Sequence, residues 1–146
     1  MIYIASDHAG LDLKKELIES FPNLPWKDLG PQSKDSVDFP DFADLVCKSL
    51  SGDKNSKDFG VLVCGSGQGM AMRANKYPHI RAALVWSPEI TKLSREHNDA
   101  NVLCLPGRFM SLEQAKVCFD LFQKTNFAGG RHTQRVDKLT KPAHTP

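Results

Sequence analysis

The sequence has no apolar run that approaches bilayer-spanning length, and its first residues lack the basic segment that begins a signal peptide. These absences predict a cytoplasmic protein that binds no membrane. The formal net charge is only +2 at pH 7, which is too small to favour nucleic acid as a partner. The four cysteines form no C-x-x-C pair, and no His, Cys and Asp cluster has metal-ligand spacing. We therefore expect reduced thiols and no metal.

The apolar content suffices for one buried core. The 146 residues are 40% hydrophobic, which predicts one domain over residues 1–146, with 139–146 as a loosely ordered tail. Predicted strands cover 1–6, 26–29, 59–64, 81–86 and 102–105, and predicted helices cover 11–21, 42–50, 70–76, 88–97 and 111–124. Alternating apolar strands and helices predict a doubly wound, three-layer α/β domain with a five-stranded parallel sheet.

Polar residues follow three of these strands. Asp7-His8 comes after the first strand, Cys64 to Gly69 after the third, and Gly107-Arg108 after the fifth. Ligands of open parallel sheets bind beyond the carboxyl ends of the strands. We therefore expect these three segments to form one site.

The glycine-rich loop from Cys64 to Gly69 is the most informative of the three segments. Alternating glycines permit a sharp turn and direct successive N–H groups at one point, and the helix expected from Met70 places its N-terminus there. A helix N-terminus stabilises a thiolate, so Cys64 is a candidate base or nucleophile. The alternative is a buried structural thiol. That structural interpretation is the one we expect for Cys47, Cys104 and Cys118.

Other interpretations of these polar residues remain open. A nucleotide site is disfavoured, because Met70 stands where a G-x-G-x-x-G loop needs glycine and no Lys-Ser/Thr closes the loop. Asp7 is also typical of a helix N-cap, and His97 of a polar helix end. Arg131 and Arg135 lie four residues apart, which fits either a solvated helix face or a forked cationic pair for a phosphate.

Seven motifs, in this order, resemble those of the type B ribose-5-phosphate isomerase family. They are Asp7-His8-Ala9-Gly10, Cys64 to Gly69, Ala74-Asn75-Lys76, Ile80-Arg81-Ala82, Arg95 to Asn101, Gly107-Arg108 and Gly129 to Arg135. The resemblance runs from Met1 to about Leu139. It implies an aldose–ketose isomerase that needs no cofactor and interconverts ribose 5-phosphate and ribulose 5-phosphate through an enediolate. It also implies a homodimer or tetramer whose sites are shared between chains.

The resemblance further implies roles for individual residues. Cys64 matches the base, Ser66 assists at the substrate oxygens, and Asp7 and His97 serve ring opening, with His97 supplied by the partner chain. The residues that match the enediolate-stabilising set are Gly65, Ser66, Gly67, Gln68, Gly69, Met70 and Asn75. The residues that match the substrate- and phosphate-binding set are His8, Asp38, Asn98, Arg108, Arg131 and Arg135.

Two departures from the family pattern affect this interpretation. Phe39 stands where many relatives have Tyr, so a hydroxyl contact to the sugar is lost. Some relatives use a Glu at the position of Met70 as the base, and a methionine cannot take that proton. Two alternatives stay open beside ribose 5-phosphate. They are isomerisation of a hexose 6-phosphate, such as allose or galactose 6-phosphate, and a sugar-phosphate sensor without catalysis.

Overall fold

Five parallel strands form the centre of the protein. The computed structural model describes residues 1–143. Its strands are β1 (Ile2–Ser6), β2 (Trp26–Asp28), β3 (Phe59–Cys64), β4 (Ala82–Leu84) and β5 (Val102–Pro106). They pair in the order β2-β1-β3-β5-β4, and every pair is parallel. The predicted five-stranded parallel sheet is confirmed.

Helices connect the strands and cover both faces of the sheet. They are α1 (Leu11–Ser20), α2 (Phe39–Ser49), α3 (Gln68–Ala74), α4 (Pro88–Glu96), α5 (Leu112–Lys124) and α6 (Thr133–Leu139), with a 3-10 turn at Gly130–His132. Local sequence signals explain where two of these helices begin. Ser87 caps α4 ahead of Pro88, and Ser111 forms a capping box with Gln114 at the start of α5.

The strands bury side chains on both faces because each face supports its own core. Ile4 and Val63 belong to a cluster that packs against α1 and α5 through residues such as Phe119. Ala5 and Leu62 face the opposite cluster, which α2 and α3 cover. This alternation is the physical origin of the continuous apolar runs, since a strand buried on both faces has no solvent-facing side chains.

Several boundaries differ from those predicted. β4 covers three residues rather than 81–86, because it lies at the sheet edge and pairs only with β5. α2 begins at Phe39 rather than Phe42, with Pro40 in its first turn. α3 begins at Gln68, two residues before Met70.

The C-terminal boundary also differs. Leu139, predicted to begin the loose tail, is the last residue of α6. Residues 144–146 of that predicted tail lie outside the described residues.

Strand register aligns the carboxyl ends of the three central strands. Ser6 pairs with Val63, and Cys64 pairs with Pro106. The loops after β1, β3 and β5 therefore leave the sheet side by side, as the sequence predicts. Within residues 1–143, no helix combines the length and the apolar character that crossing a membrane would require.

Candidate active site

Two glycines of the loop after β3 lie where a Cβ would collide with a neighbouring side chain. Gly67 has φ +76°, in the left-handed region, and a Cβ there would lie 2.5 Å from Cδ1 of Leu84. A Cβ on Gly69 would lie 2.7 Å from the ring of Phe39. These close approaches fix the path of the backbone between Cys64 and α3.

The loop after β1 also packs closely against the backbone of β3. A Cβ on Gly10 would lie 2.1 Å from the carbonyl oxygen of Val63, so only glycine fits. The backbone N–H of Gly10 donates to Oδ1 of Asp7 at 2.9 Å, and Asp7 is buried. Asp7 is therefore not the N-cap of α1, a position that Gly10 occupies, but its carboxylate stabilises the turn before the helix, and Asp7 also lines the cavity described below.

Backbone hydrogen bonds join the loop after β5 to the glycine loop. The N–H of Gly107 donates to the carbonyl of Cys64 at 2.8 Å, and the N–H of Arg108 donates to the carbonyl of Gly65 at 3.0 Å. The side chain of Arg108 passes 3.5 Å from the point where a Cβ on Gly65 would lie. These bonds hold a cationic side chain beside the thiol-bearing loop.

The three loops line an open cavity of about 320 Å³. It lies next to the boundary between β1 and β3, where successive crossovers leave in opposite directions, which is the usual ligand position in doubly wound folds. The residues that line it are Asp7, His8, Ala9, Phe39, Cys64, Gly65, Ser66, Gly69, Arg108 and Phe109. The structure thus brings together predicted residues from each of the three loops, although Gly67, Gln68 and Met70 do not line the cavity. The sequence interpretation did not include Ala9 and Phe109, which carry no polar side chain to mark them.

The start of α2 contributes one wall of this cavity. Phe39 lines it, and Asp38 immediately before is the N-cap residue of α2. The carboxylate of Asp38 accepts no hydrogen bond from the helix and is exposed, so it is free to contact a ligand. The backbone N–H of Val37 donates to Nδ1 of His8 at 3.4 Å, which links this segment to the loop after β1.

The other three cysteines have surroundings unlike those of Cys64. Burial raises the pKa of the Cys47 thiol to about 12, and burial also raises the pKa values of Cys104 and Cys118. None of the three lines the cavity, and all four cysteines are free thiols in the described structure. The structural role expected for Cys47, Cys104 and Cys118 is confirmed.

A second group of predicted residues lies elsewhere on this chain. The ring of His97 stacks on that of His132, with centroids 4.3 Å apart and an interplanar angle of 14°. Desolvation lowers the pKa of His132, and His97, Arg131 and Arg135 lower it further by charge repulsion. Among the residues that the structure describes, His97, Arg131 and Arg135 do not line the Cys64 cavity.

Asn75 and Asn98 line a different cavity of about 380 Å³ at the exposed edge of β4. The Asn75 side chain is occupied there, because it donates to the carbonyl of Ala82 at 2.9 Å and accepts from the N–H of Ala82 at 2.8 Å. Its predicted contact with an enediolate stays a prediction. Over residues 1–143 no group of three His, Cys, Asp or Glu side chains is placed to hold a metal ion.

The matching family and the curated relatives named below are all described as isomerases of ribose or of its phosphate. The sequence profile of a family described as Ribose/Galactose Isomerase matches residues 2–139. The probable ribose-5-phosphate isomerase B of Mycoplasma genitalium is 46% identical over 144 residues, covering 96% of this chain and 93% of the relative. The ribose-5-phosphate isomerase B of Escherichia coli is 37% identical over 141 residues, covering 95% and 93%.

Solved structures show the same similarity in three dimensions. The ribose 5-phosphate isomerase of Thermotoga maritima matches with a TM-score of 0.90 and 42% identity, covering 95% of this chain and 96% of that one. A ribose-5-phosphate isomerase B of Mycoplasma genitalium, solved with bound ribulose-5-phosphate, matches with a TM-score of 0.88 and 44% identity, covering 95% and 93%.

Proposed function

Because this chain belongs to the ribose/galactose isomerase family and is an aldose–ketose isomerase, we propose that it interconverts ribose 5-phosphate and ribulose 5-phosphate. The observation that carries the proposal is the position of Cys64, which lines a cavity beside the glycine loop. Bound ribulose-5-phosphate in a relative that is 44% identical supports the substrate class.

Cys64 is proposed as the base that moves one proton between C2 and C1 of the open-chain sugar. Removing a proton beside a carbonyl transfers negative charge to the carbonyl oxygen and produces an enediolate. N–H groups of the loop from Gly65 to Met70 stabilise that oxygen, and each well-placed donor contributes about 3 to 4 kcal/mol to the transition state. The Ser66 hydroxyl lies at the same cavity and assists proton movement at the substrate oxygens.

His8 and Arg108 are proposed to bind the phosphate. Since Nδ1 of His8 accepts from the N–H of Val37, the proton of a neutral ring is on Nε2, which can donate to a phosphate oxygen. Arg108 is exposed beside Gly65 and supplies a planar cationic donor. Asp7 is proposed to assist ring opening from the floor of the same cavity.

The remaining site residues are proposed to come from a partner chain. His97, Asn98, Arg131 and Arg135 are absent from the described lining of the Cys64 cavity, and both arginines are exposed. At the rim of that cavity the Phe109 side chain is 78% exposed, which leaves apolar surface for a partner to cover. A homodimer, or a tetramer built from such dimers, would place one chain's arginines over the other chain's thiol.

The proposal is tested by incubating the protein with ribose 5-phosphate and measuring ribulose 5-phosphate. We expect Cys64→Ala to lower kcat by at least about a hundredfold, the usual contribution of general acid–base catalysis. Cys47→Ala is the matched control, because that thiol is buried in the core behind the site and should leave kcat nearly unchanged.

Three results would contradict parts of the proposal. Turnover of allose or galactose 6-phosphate alone would assign a hexose substrate. Tight binding of sugar phosphates without turnover would indicate a sensor. A Cys64→Ala variant that keeps a large part of kcat would assign the base to another residue.

A further inference from the structure

Lys14 is the one fully buried charged side chain among the described residues, and the mechanism above does not use it. Its side chain on α1 has no exposed surface. Nζ donates to Oδ1 of Asp28 at 2.7 Å and to the carbonyl oxygen of Pro31 at 2.7 Å. Burial lowers the pKa of Lys14, while the Asp28 carboxylate opposes that shift.

These acceptors mark the start of the β2–α2 loop, defined here as residues 29–38. Asp28 also accepts from the N–H of Gly30 at 2.9 Å, and the carbonyl of Gly30 accepts from Ser6. The first residues of the loop are therefore held between α1 and the end of β1. Residues 32–36 that follow are exposed.

The far end of the β2–α2 loop reaches the candidate active site. The N–H of Val37 donates to Nδ1 of His8, Asp38 occupies the N-cap position of α2 without a side-chain hydrogen bond to the helix, and the chain continues into Phe39 on the cavity wall. The Phe39 ring packs directly against Gly69 of the glycine loop. Any displacement of the loop would thus move two walls of the cavity.

Lys14 fixes the position of its hydrogen-bond partners and adds little to the stability of the fold. A buried ion pair gains little over apolar side chains of similar volume, because taking both charges out of water offsets their attraction. Two short hydrogen bonds from one ammonium group, however, define where Asp28 and Pro31 lie relative to α1. The N-cap residue of α1 is Gly10, three residues after Asp7, so the helix that carries the anchor begins directly beside the site.

We propose that Lys14 is a positioning residue that holds the β2–α2 loop against the active site and thereby orients His8, Asp38 and Phe39 toward the substrate. The catalytic part of this inference rests on the proposed function. The anchoring part concerns the loop alone and can be measured without substrate.

The kinetic test compares Lys14→Met with wild type, using ribose 5-phosphate at a temperature where both are folded. The oriented groups hold the sugar and move no proton at the reacting carbons, so we expect KM to rise about tenfold while kcat changes less than threefold. Lys34→Met is the matched control. It removes a bridge from the same loop to Asp12 on α1, but both partners are exposed, and KM should stay within twofold.

Hydrogen exchange tests the anchor independently of activity. In Lys14→Met we expect faster exchange in peptides covering residues 29–42, with unchanged protection in β3 and β5. Wild-type exchange in this segment, or a wild-type KM in a folded variant, would overturn the proposal, as would a fall in kcat at constant KM. If Lys14→Met does not fold, Asp28→Asn is measured instead, with the same pattern expected at smaller amplitude. A wild-type protein without isomerase activity would overturn the proposed function. The hydrogen-exchange result would still show whether Lys14 holds the β2–α2 loop in place.

Discussion

Four cysteines in one chain differ chemically because of what surrounds each side chain. Cys47, Cys104 and Cys118 are fully buried, and burial raises their pKa values, which keeps them as inert thiols. Cys64 is also nearly buried, at 4% exposure, yet it ends a strand at a polar cavity. The sequence distinguishes Cys64 from the other three cysteines because only Cys64 is followed directly by a glycine-rich loop.

The stacked pair of His97 and His132 predicts a pH dependence of stability. The pKa of His132 in the folded protein lies below its ordinary value of 6.5, so the unfolded chain binds more protons between these two values. Stability should therefore fall as pH drops through 6.5 toward the folded pKa. We expect wild type to lose more stability than His132→Asn between pH 7.5 and 5, approximate bounds that bracket an ordinary histidine pKa.

Urea unfolding at several pH values measures this difference. Subtracting the free energy of unfolding of His132→Asn from that of wild type isolates the contribution of His132 from that of the remaining groups. A difference that stays constant over the whole range would show that the folded protein does not disfavour protonation of His132.

Contacts between distant residues limit what the sequence reveals at this scale. Asp7, Cys64 and Arg108 could be grouped in advance because each follows a strand, and parallel strands end at one edge. The stacking of His97 on His132 and the pairing of Lys14 with Asp28 have no such rule. They depend on how the C-terminal segment and the β2–α2 loop fold back onto the domain.

At the scale of elements, the hydrophobic pattern predicted whether a segment is a helix or a strand better than it predicted the length of the segment or the order of strands in the sheet. The strands and helices from β1 to α5 were predicted as strands or helices, because their apolar periodicity persists over several residues. The sequence did not reveal that β5 lies between β3 and β4. It also predicted too long a β4, since an edge strand can end wherever its single partner no longer pairs with it.

The turn between β3 and α3 provides a prediction at this scale. Gly67→Ala would place a methyl group 2.5 Å from Leu84 in a residue with φ +76°. Left-handed strain alone costs about 1 to 2 kcal/mol, and the steric clash adds to it. We expect lower stability and a large loss of kcat/KM, because the loop amides move relative to Cys64.

Gly52→Ala is the control for this substitution. Its Cβ would lie 3.5 Å from Cβ of His79, an ordinary contact, and its φ lies outside the left-handed region. Such a change leaves stability equal or raises it by about 0.4 to 1 kcal/mol. Urea unfolding and steady-state kinetics measure the stability and kcat/KM of both variants. Equal changes in Gly67→Ala and Gly52→Ala would mean that the left-handed conformation of Gly67 is not required.

On the scale of the whole molecule, one chain presents two separate sets of proposed site residues. The Cys64 cavity has the proposed base, a glycine loop and one arginine, whereas His97, Arg131 and Arg135 lie outside its lining in the described structure. Arg131 is in the 3-10 turn and Arg135 is in α6, so a continuous helical segment presents them together. Two-fold symmetry would unite the two sets twice in each dimer.

Subunit mixing tests this arrangement. One parent carries Cys64→Ala and the other carries Arg131→Ala with Arg135→Ala, and the losses of charge-assisted contacts cost about 1.5 to 3 kcal/mol each. If sites are shared, each mixed dimer contains one site with Cys64 from one chain and both arginines from the other. Random association of equal amounts makes about half of the dimers mixed, so about a quarter of wild-type activity should return at low substrate concentration.

The matched control places all three substitutions on one chain and mixes it with wild type. Every shared site in those mixed dimers lacks either the thiol or the arginines, so only wild-type dimers act and about a quarter of the activity remains. If each site instead lay within one chain, the mixture of triple variant and wild type would retain about half of the wild-type activity. The mixture of Cys64→Ala with the double arginine variant would then stay as inactive as its parents. Co-refolding the two chains and assaying ribulose 5-phosphate formation distinguishes the arrangements, because the two expectations differ in both mixtures.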